Sequence, residues 1–314
     1  MNFLRLISGF LLSFVFLYFF AYAISDLRWF FDNFFASQSE AAFLGSVSGV
    51  LQDSVAEKVV DDDLNIKAQS AVSVLTGFDG TDKVLLSKNE QRKLSIASIS
   101  KLMTAVVAME NLSSSQEITI SNQAVSQSNN PEPLKPGETF YVKDLLRAML
   151  VGSDNAASYA LCEAIGLDKC IGLMNAKAEE LELSDTSFLN PSGLGLANFS
   201  TAQDLVKFTR YLLDKGISIL EITRVPEFDL FSVDRKISHK IISTDELLTV
   251  SSSLTERIVG GKTGETRTAN GCLLLILNSP DKQGFLINVV LNSNDRFGEM
   301  KKIINWVDAS YLWR

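Results

Sequence analysis

The chain has 314 residues, 46% of them hydrophobic, and a formal charge of −8 with one histidine and three cysteines. An acidic chain without a basic tract or repeat is not built to bind nucleic acid. Cys162, Cys170 and Cys272 form no metal-ligand pattern. The apolar content supports a sizeable core without metal or disulfide, so small buried thiols are expected for all three, with a Cys162–Cys170 pair as the alternative outside the cytoplasm.

Leu6 to Ile24 is an almost unbroken apolar run preceded only by Arg5 and the terminal amine, long enough to cross a bilayer. Residues 1–25 are therefore predicted to be a transmembrane helix, with export of the rest of the chain. Ala21-Tyr22-Ala23 has the small-x-small form of a signal-peptidase site, but the run is longer than a signal core. The reading favours an uncleaved anchor; cleavage would leave a secreted domain. Arg28-Trp29-Phe30-Phe31 and Phe34-Phe35 suit a bilayer surface, and the Ser, Asp, Glu and Ala-rich stretch to Ile66, with Asp61-Asp62-Asp63, reads as a spacer. Residues 26–67 are thus a juxtamembrane segment and linker, and residues 68–314 one main domain.

Within that domain, strands are predicted at Ser70 to Leu75 and Lys83 to Leu86. Helical patterns come next at Ser98 to Glu110, Val142 to Ile165, Leu173 to Leu183 and Thr201 to Leu213. Two more strands, Gly271 to Leu277 and Phe285 to Leu291, are joined by a short loop as a hairpin, and Asp295 to Ala309 is helix-like. Strands at both ends with helices between them predict an α/β fold of the α+β type: an antiparallel sheet completed by the two chain ends and flanked by helices.

Three strings carry chemistry: Ser98-Ile99-Ser100-Lys101, Ser153-Asp154-Asn155 and Lys262-Thr263-Gly264. A hydroxyl needs a base to become a nucleophile. His239, in Ser238-His239-Lys240, has no acidic neighbour in sequence, and no serine sits in a Gly-x-Ser-x-Gly turn, so a Ser-His-Asp site is poorly supported. A lysine base remains. Residues three apart on a helix share a face, so Ser98 can hand its proton to Lys101. A nucleophile at a helix start also finds free N–H groups, its own among them, for a developing oxyanion. Lys101 must be neutral to act; burial and a second cation, Lys262, would both lower its pKa.

Each string alone is weak, because Ser-x-x-Lys commonly marks a helix cap, Ser-Asp-Asn a turn and Lys-Thr-Gly a strand end. The ordered set is specific. With it, the chain from about Ala68 to Trp306 resembles the serine D-Ala-D-Ala carboxypeptidases, the low-molecular-weight penicillin-binding proteins. Matching stretches include Ile96 to Ala105, Lys135-Pro136-Gly137-Glu138, Asn190-Pro191-Ser192-Gly193-Leu194, Ser200-Thr201-Ala202 and Ala269-Asn270-Gly271-Cys272.

The resemblance implies a β-lactamase/transpeptidase-like fold and removal of the terminal D-alanine of peptidoglycan stem peptides through an acyl-enzyme on Ser98. It implies Lys101 as base, Ser153 as proton relay to the leaving amine, and Asn155, Lys262 and Thr263 as substrate-binding residues. The backbone N–H of Glu265 would join that of Ser98 in the oxyanion hole. No metal or cofactor is implied, and the partners would be stem peptides and, as covalent inhibitors, β-lactams. The compartment implied is the bacterial cytoplasmic membrane with the catalytic domain outside. The same acyl-enzyme would serve a D,D-endopeptidase acting on crosslinks, and a non-catalytic peptidoglycan-binding protein is a further alternative.

A class A β-lactamase is a weaker alternative: Thr186 stands where those enzymes begin a Glu-x-x-Leu-Asn string, and Glu179, Glu180 and Glu182 read as a polar helix face. One departure from the carboxypeptidase pattern concerns substrate binding. Ser243-Thr244-Asp245-Glu246 precedes Leu247-Leu248 where many relatives carry a basic residue and asparagines, with Arg267 as a candidate replacement cation.

Overall fold

The computed structural model describes residues 56–60, 64–128, 134–195, 198–215, 217–249 and 253–313. The predicted span at Leu6 to Ile24, the aromatic segment and the first part of the spacer lie outside the described residues. Among those described, no helix is long and apolar enough to cross a membrane.

Five antiparallel strands form the central sheet: β1 (Ser70–Gly77), β2 (Asp82–Lys88), β3 (Ile258–Thr266), β4 (Asn270–Asn278) and β5 (Gly284–Ser293), in the order β3-β4-β5-β1-β2. The apolar run Cys272 to Leu277 places β4 inside, because a strand covered on both faces needs no polar alternation. Leu274 and Ile276 face one core with Ile287 and Val289, while Leu273, Leu275 and Leu277 face the other with Leu286 and Val290. The second core is closed by Met300, Ile303, Ile304 and Val307, from the helix Arg296–Ser310.

The first core holds the helices that succeed one another between the two chain ends: α1 (Lys101–Asn111), α2 (Val142–Val151), α3 (Asn155–Ile165), α4 (Leu167–Glu180), α5 (Ala202–Lys215) and α6 (Ile217–Thr223). The helix Arg296–Ser310 is α7. The expected layout is therefore present: a sheet built from both chain ends, with helices on both faces. Glu57–Lys58 pairs with Tyr311–Leu312, and Ala56 and Ile66, which fall in the stretch read as spacer, are buried in the second core.

Two predicted helices need correction, and two elements are absent from the prediction. The helix read from Val142 to Ile165 is two helices, because Ser153 takes φ 56° and Asp154 turns extended, its carboxylate accepting from the Ala157 N–H at 2.8 Å as the cap of α3. The helix read from Leu173 to Leu183 begins at Leu167, after Gly166 at φ 97°. The strand Ile258–Thr266 is hidden in the sequence by its three glycines, which depress strand propensity. A hairpin, Glu227–Phe231 with Ser238–Ile242, is absent from the sequence expectation because its alternation is short and charged.

Cys162 and Cys170 are not free thiols. They form a disulfide across the α3–α4 turn, with Cα atoms 5.4 Å apart, within the range a bridge requires. Only Cys272 remains a buried thiol. The pairing follows from Gly166, which turns the chain so that two successive helices face each other at Cys162 and Cys170. With a sequence separation of 8 between the cysteines, loop closure accounts for about 2.5 kcal/mol in the chain-entropy view. Replacing both by serine is expected to lower Tm by roughly 5–10 °C; differential scanning calorimetry with and without reductant checks this.

Candidate active site

A single turn of 3-10 helix, Ala97–Ser100, leads into α1, so Ser98 and Lys101 fall on one side of a continuous helical turn. The Lys101 ammonium nitrogen lies 2.7 Å from Ser98 Oγ, 2.7 Å from Asn155 Oδ1 and 2.9 Å from the Ser192 carbonyl. Lys101 is fully buried. Burial, and after it the nearby Lys262 charge, pushes its pKa well below the ordinary value, while Asp154 opposes. A neutral amine 2.7 Å from a serine hydroxyl can accept its proton directly.

The turn that presents the Ser192 carbonyl is built by two asparagines. Asn190 Oδ1 accepts from the Ser192 and Gly193 N–H groups at 3.1 and 2.7 Å, and Asn198 brackets Asn190 through its own amide. Thr104 of α1 donates to the Pro191 carbonyl at 2.7 Å, tying the turn to the nucleophile helix. The string Asn190 to Leu194 signals this turn, yet nothing in the residues foretells that its backbone carbonyl holds the lysine.

Two glycines let other segments close on the nucleophile. A Cβ on Gly193, at φ 80°, would fall 1.9 Å from the Ala97 carbonyl oxygen, and one on Gly264 would meet Ile96 O at 2.8 Å and Ser98 N at 3.1 Å. The Ala97–Ser98 peptide is thus clasped between the Asn190–Gly193 turn and the end of β3, with Ala97 itself at φ 47°. A strained residue beside a nucleophile persists only where its surroundings over-determine it.

Ser98, Ser153, Asn155, Thr263 and Gly264 line one cleft of about 820 Å³, together with Thr244, Glu265 and Arg296. Lys262 lies buried behind it, its ammonium donating to the Thr263 carbonyl at 3.1 Å. All six residues singled out from sequence therefore meet here. Arg267 does not: it is exposed in the turn between β3 and β4. Two cations line the cleft instead: Lys240, which pairs with Glu227, and Arg296, at the start of α7, which pairs with Glu265.

Thr244 is a second cleft residue that the sequence does not single out, although it lies in the string that departs from the carboxypeptidase pattern. Its hydroxyl hydrogen-bonds that of Thr263, and its N–H donates to the Val151 carbonyl at 3.2 Å. It thereby ties the end of α2, two residues before the second string, to the third. His239 turns away to a buried partner, Glu138, at 2.9 Å; a local pattern cannot show a partner 101 positions away. Thr186 bonds Ser200 and Asp204 and does not line the cleft, while Glu179 and Glu180 are exposed at the end of α4, and Glu182, also exposed, lies past the helix in a turn at φ 54° rather than on its face.

Burial pushes Lys262 down to about 7, with Asp245 opposing and Arg296 adding to the fall. As pH rises through about 7, Lys262 loses its charge and an anion in the cleft loses that attraction. Acylation by a carboxylate-bearing ligand is therefore expected to weaken over that range. Lys262→Arg keeps a positive charge at every working pH, so its rate profile should lose the decline at neutrality; a stopped-flow series spanning roughly pH 5 to 9 checks this.

The sequence profile of the D-alanyl-D-alanine carboxypeptidase family matches residues 56–295. The chain is similar to the D-alanyl-D-alanine carboxypeptidase DacF of Bacillus subtilis, 33% identical over 255 residues that cover 78% of this chain and 64% of that one, so it spans just under two thirds of that relative's length. It is also similar to a D-alanyl-D-alanine endopeptidase of Pseudomonas aeruginosa, 31% identical over 77% of this chain and 76% of the relative. Among solved structures, a penicillin-binding protein from Listeria monocytogenes in its cefotaxime-bound form superposes with a TM-score of 0.66 at 26% identity, covering 79% of this chain and all of that one.

Proposed function

The chain belongs to the D-alanyl-D-alanine carboxypeptidase family, and we propose that it acts as a serine carboxypeptidase on peptidoglycan stem peptides, with Ser98 as nucleophile and Lys101 as base. The observation that carries this reading is the buried Lys101 amine within 2.7 Å of Ser98 Oγ. Ser98 Oγ attacks the carbonyl of the penultimate D-alanine as its proton passes to Lys101. The carbonyl oxygen becomes an oxyanion, met by the N–H groups of Ser98 and Glu265. The C–N bond then breaks, and the departing D-alanine amine takes a proton delivered through Ser153. Water afterwards hydrolyses the ester to free Ser98. Asn155 orients Lys101, while Thr263, Lys262 and Arg296 receive the substrate's terminal carboxylate.

A D,D-endopeptidase is the second reading, favoured by the similarity to the Pseudomonas aeruginosa relative. The chemistry at Ser98 is the same, and only the leaving amine differs. We place the catalytic domain outside a bacterial cytoplasmic membrane, tethered by residues 1–25 through the linker that follows, with the folded part taking in residues from Ala56 onward; the Cys162–Cys170 disulfide supports an oxidising compartment. β-Lactams are expected to acylate Ser98 and leave slowly, because the position of the class A glutamate is Thr186, outside the cleft. The test supplies the full chain with a stem pentapeptide ending in D-Ala-D-Ala and with a crosslinked dimer. Released D-alanine establishes the carboxypeptidase, cleavage of the dimer alone the endopeptidase, and cleavage of neither overturns both.

A further inference from the structure

The guanidinium of Arg296 is more constrained than a surface arginine needs to be. Its side chain crosses the end of β4 over Gly271, where a Cβ would meet Arg296 Cβ at 3.2 Å and Cδ at 3.3 Å. One face of the guanidinium lies over the Phe297 ring, 4.8 Å from its centroid. One terminal nitrogen is taken by the Glu265 carboxylate, and the buried Nε has no hydrogen-bond partner among the described residues. The Arg296 side chain is 17% exposed and that of Glu265 66%, so the arginine sits inward and the glutamate outward. Both line the cleft that holds Ser98.

Glu265 is the residue directly after Lys262-Thr263-Gly264, in register opposite Gly271. Its place on the strand carries its backbone past the nucleophile turn while its side chain reaches Arg296. An anionic group bound to Thr263 would therefore share Arg296 with a carboxylate already on it. Two like charges on one guanidinium weaken each other's hold, and the pair costs least to occupy when the incoming group is uncharged or cationic.

We infer that Glu265 is a specificity-determining residue: by holding Arg296 it competes with the terminal carboxylate of the substrate, so that the site accepts leaving groups without a free carboxylate more readily than Arg296 alone would allow. This inference rests on the peptidase reading of the Ser98 site. It gives the carboxypeptidase and endopeptidase readings a common physical basis, since a free D-alanine leaving group carries a carboxylate next to the departing amine, whereas a side-chain amine in a crosslink can leave without one.

The test compares the full wild-type chain with Glu265→Gln and Glu265→Asp on two peptides identical except for a free or an amidated carboxyl terminus. Removing an exposed counter-ion is expected to raise the ratio of kcat/KM for free carboxylate over amide by roughly three- to fivefold in Glu265→Gln. The change should lie in KM and fade at high salt, and Glu265→Asp should stay nearer the wild type. A ratio in Glu265→Gln that is unchanged or lower, with a wild type that cleaves both peptides, overturns the inference and leaves the peptidase reading standing. A wild type that cleaves neither peptide removes both. A purely structural role for Glu265 would change the two peptides equally and so also overturns it.

Discussion

Replacing Lys101 by methionine is expected to lower the rate of Ser98 acylation by roughly a thousandfold or more, while the protein still folds. Methionine fills a similar volume without an amine. The Lys101 side chain is wholly buried and pushed well below its ordinary pKa, so the fold is not relying on a charge there, and losing it forfeits little electrostatic energy. The variant loses the proton acceptor and the partner of Asn155 Oδ1 and the Ser192 carbonyl. Losing those two hydrogen bonds costs about 0.5–1.5 kcal/mol each, with Ser98 Oγ still 3.4 Å from the Ser192 carbonyl, a moderate fall in Tm that calorimetry would register. Lys101→Arg is expected to be as inactive, because a guanidinium stays protonated. Single-turnover acylation rates read beside calorimetry separate the two effects: a missing base removes acylation from a chain that is still folded, while a structural defect lowers Tm far enough to unfold it at the assay temperature.

The second large effect belongs to Gly193→Ala. A Cβ there would sit 1.9 Å from the Ala97 carbonyl oxygen, far inside any contact distance, and the obstacle is backbone that cannot rotate away. The Ala97–Ser98 peptide must shift, taking the Ser98 N–H with it. Displacing reacting groups by about 1 Å costs on the order of a hundredfold in rate, which is the loss expected in acylation. Gly195→Ala is the matched control, since Gly195 also has positive φ, 76°, but nothing among the described residues lies within 4 Å of its added Cβ. It should show the backbone strain of about 1–2 kcal/mol alone, with acylation near the wild-type rate. Equal loss in both variants would mean that the clasp on the nucleophile turn is not what positions Ser98.

Much of this site is legible in the sequence because its chemistry is written in local strings. Ser98 and Lys101 share one helical turn, and the apolar run after them suits only a buried helix. The four sheet strands with continuous or alternating apolar residues are likewise readable. The strand Ile258–Thr266 is not, because Gly260, Gly261 and Gly264 are there for close approach: added Cβ atoms would meet Leu220, Leu274 O and Ile96 O, and those are tertiary neighbours that a local pattern does not contain. The break at Ser153 is signalled locally by the turn-prone Ser153-Asp154-Asn155, but the apolar helical patterns before and after it outweigh that signal in a reading of Val142 to Ile165.

The cleft residues that the sequence does not reveal are those whose role depends on distant partners. Thr244 matters through Thr263, Arg296 through Glu265, and Ser192 through a backbone carbonyl that any residue could supply. Arg267 is the nearer cation to Lys-Thr-Gly in sequence, yet the turn at Thr266 to Asn270 carries it to the surface, and antiparallel pairing brings the start of α7 to the cleft instead. The expectation of free thiols at Cys162 and Cys170 rests on core size alone. Core size says whether a bridge is needed, and only the turn at Gly166 decides whether one can form.

The most direct test of the central claim is intact mass spectrometry of the full chain after incubation with benzylpenicillin, in wild type and Ser98→Ala, with peptide mapping of the adduct. The account predicts one stable penicilloyl adduct on Ser98 in the wild type and none in the variant. An adduct that persists in Ser98→Ala, or a wild type that takes no adduct, would contradict it.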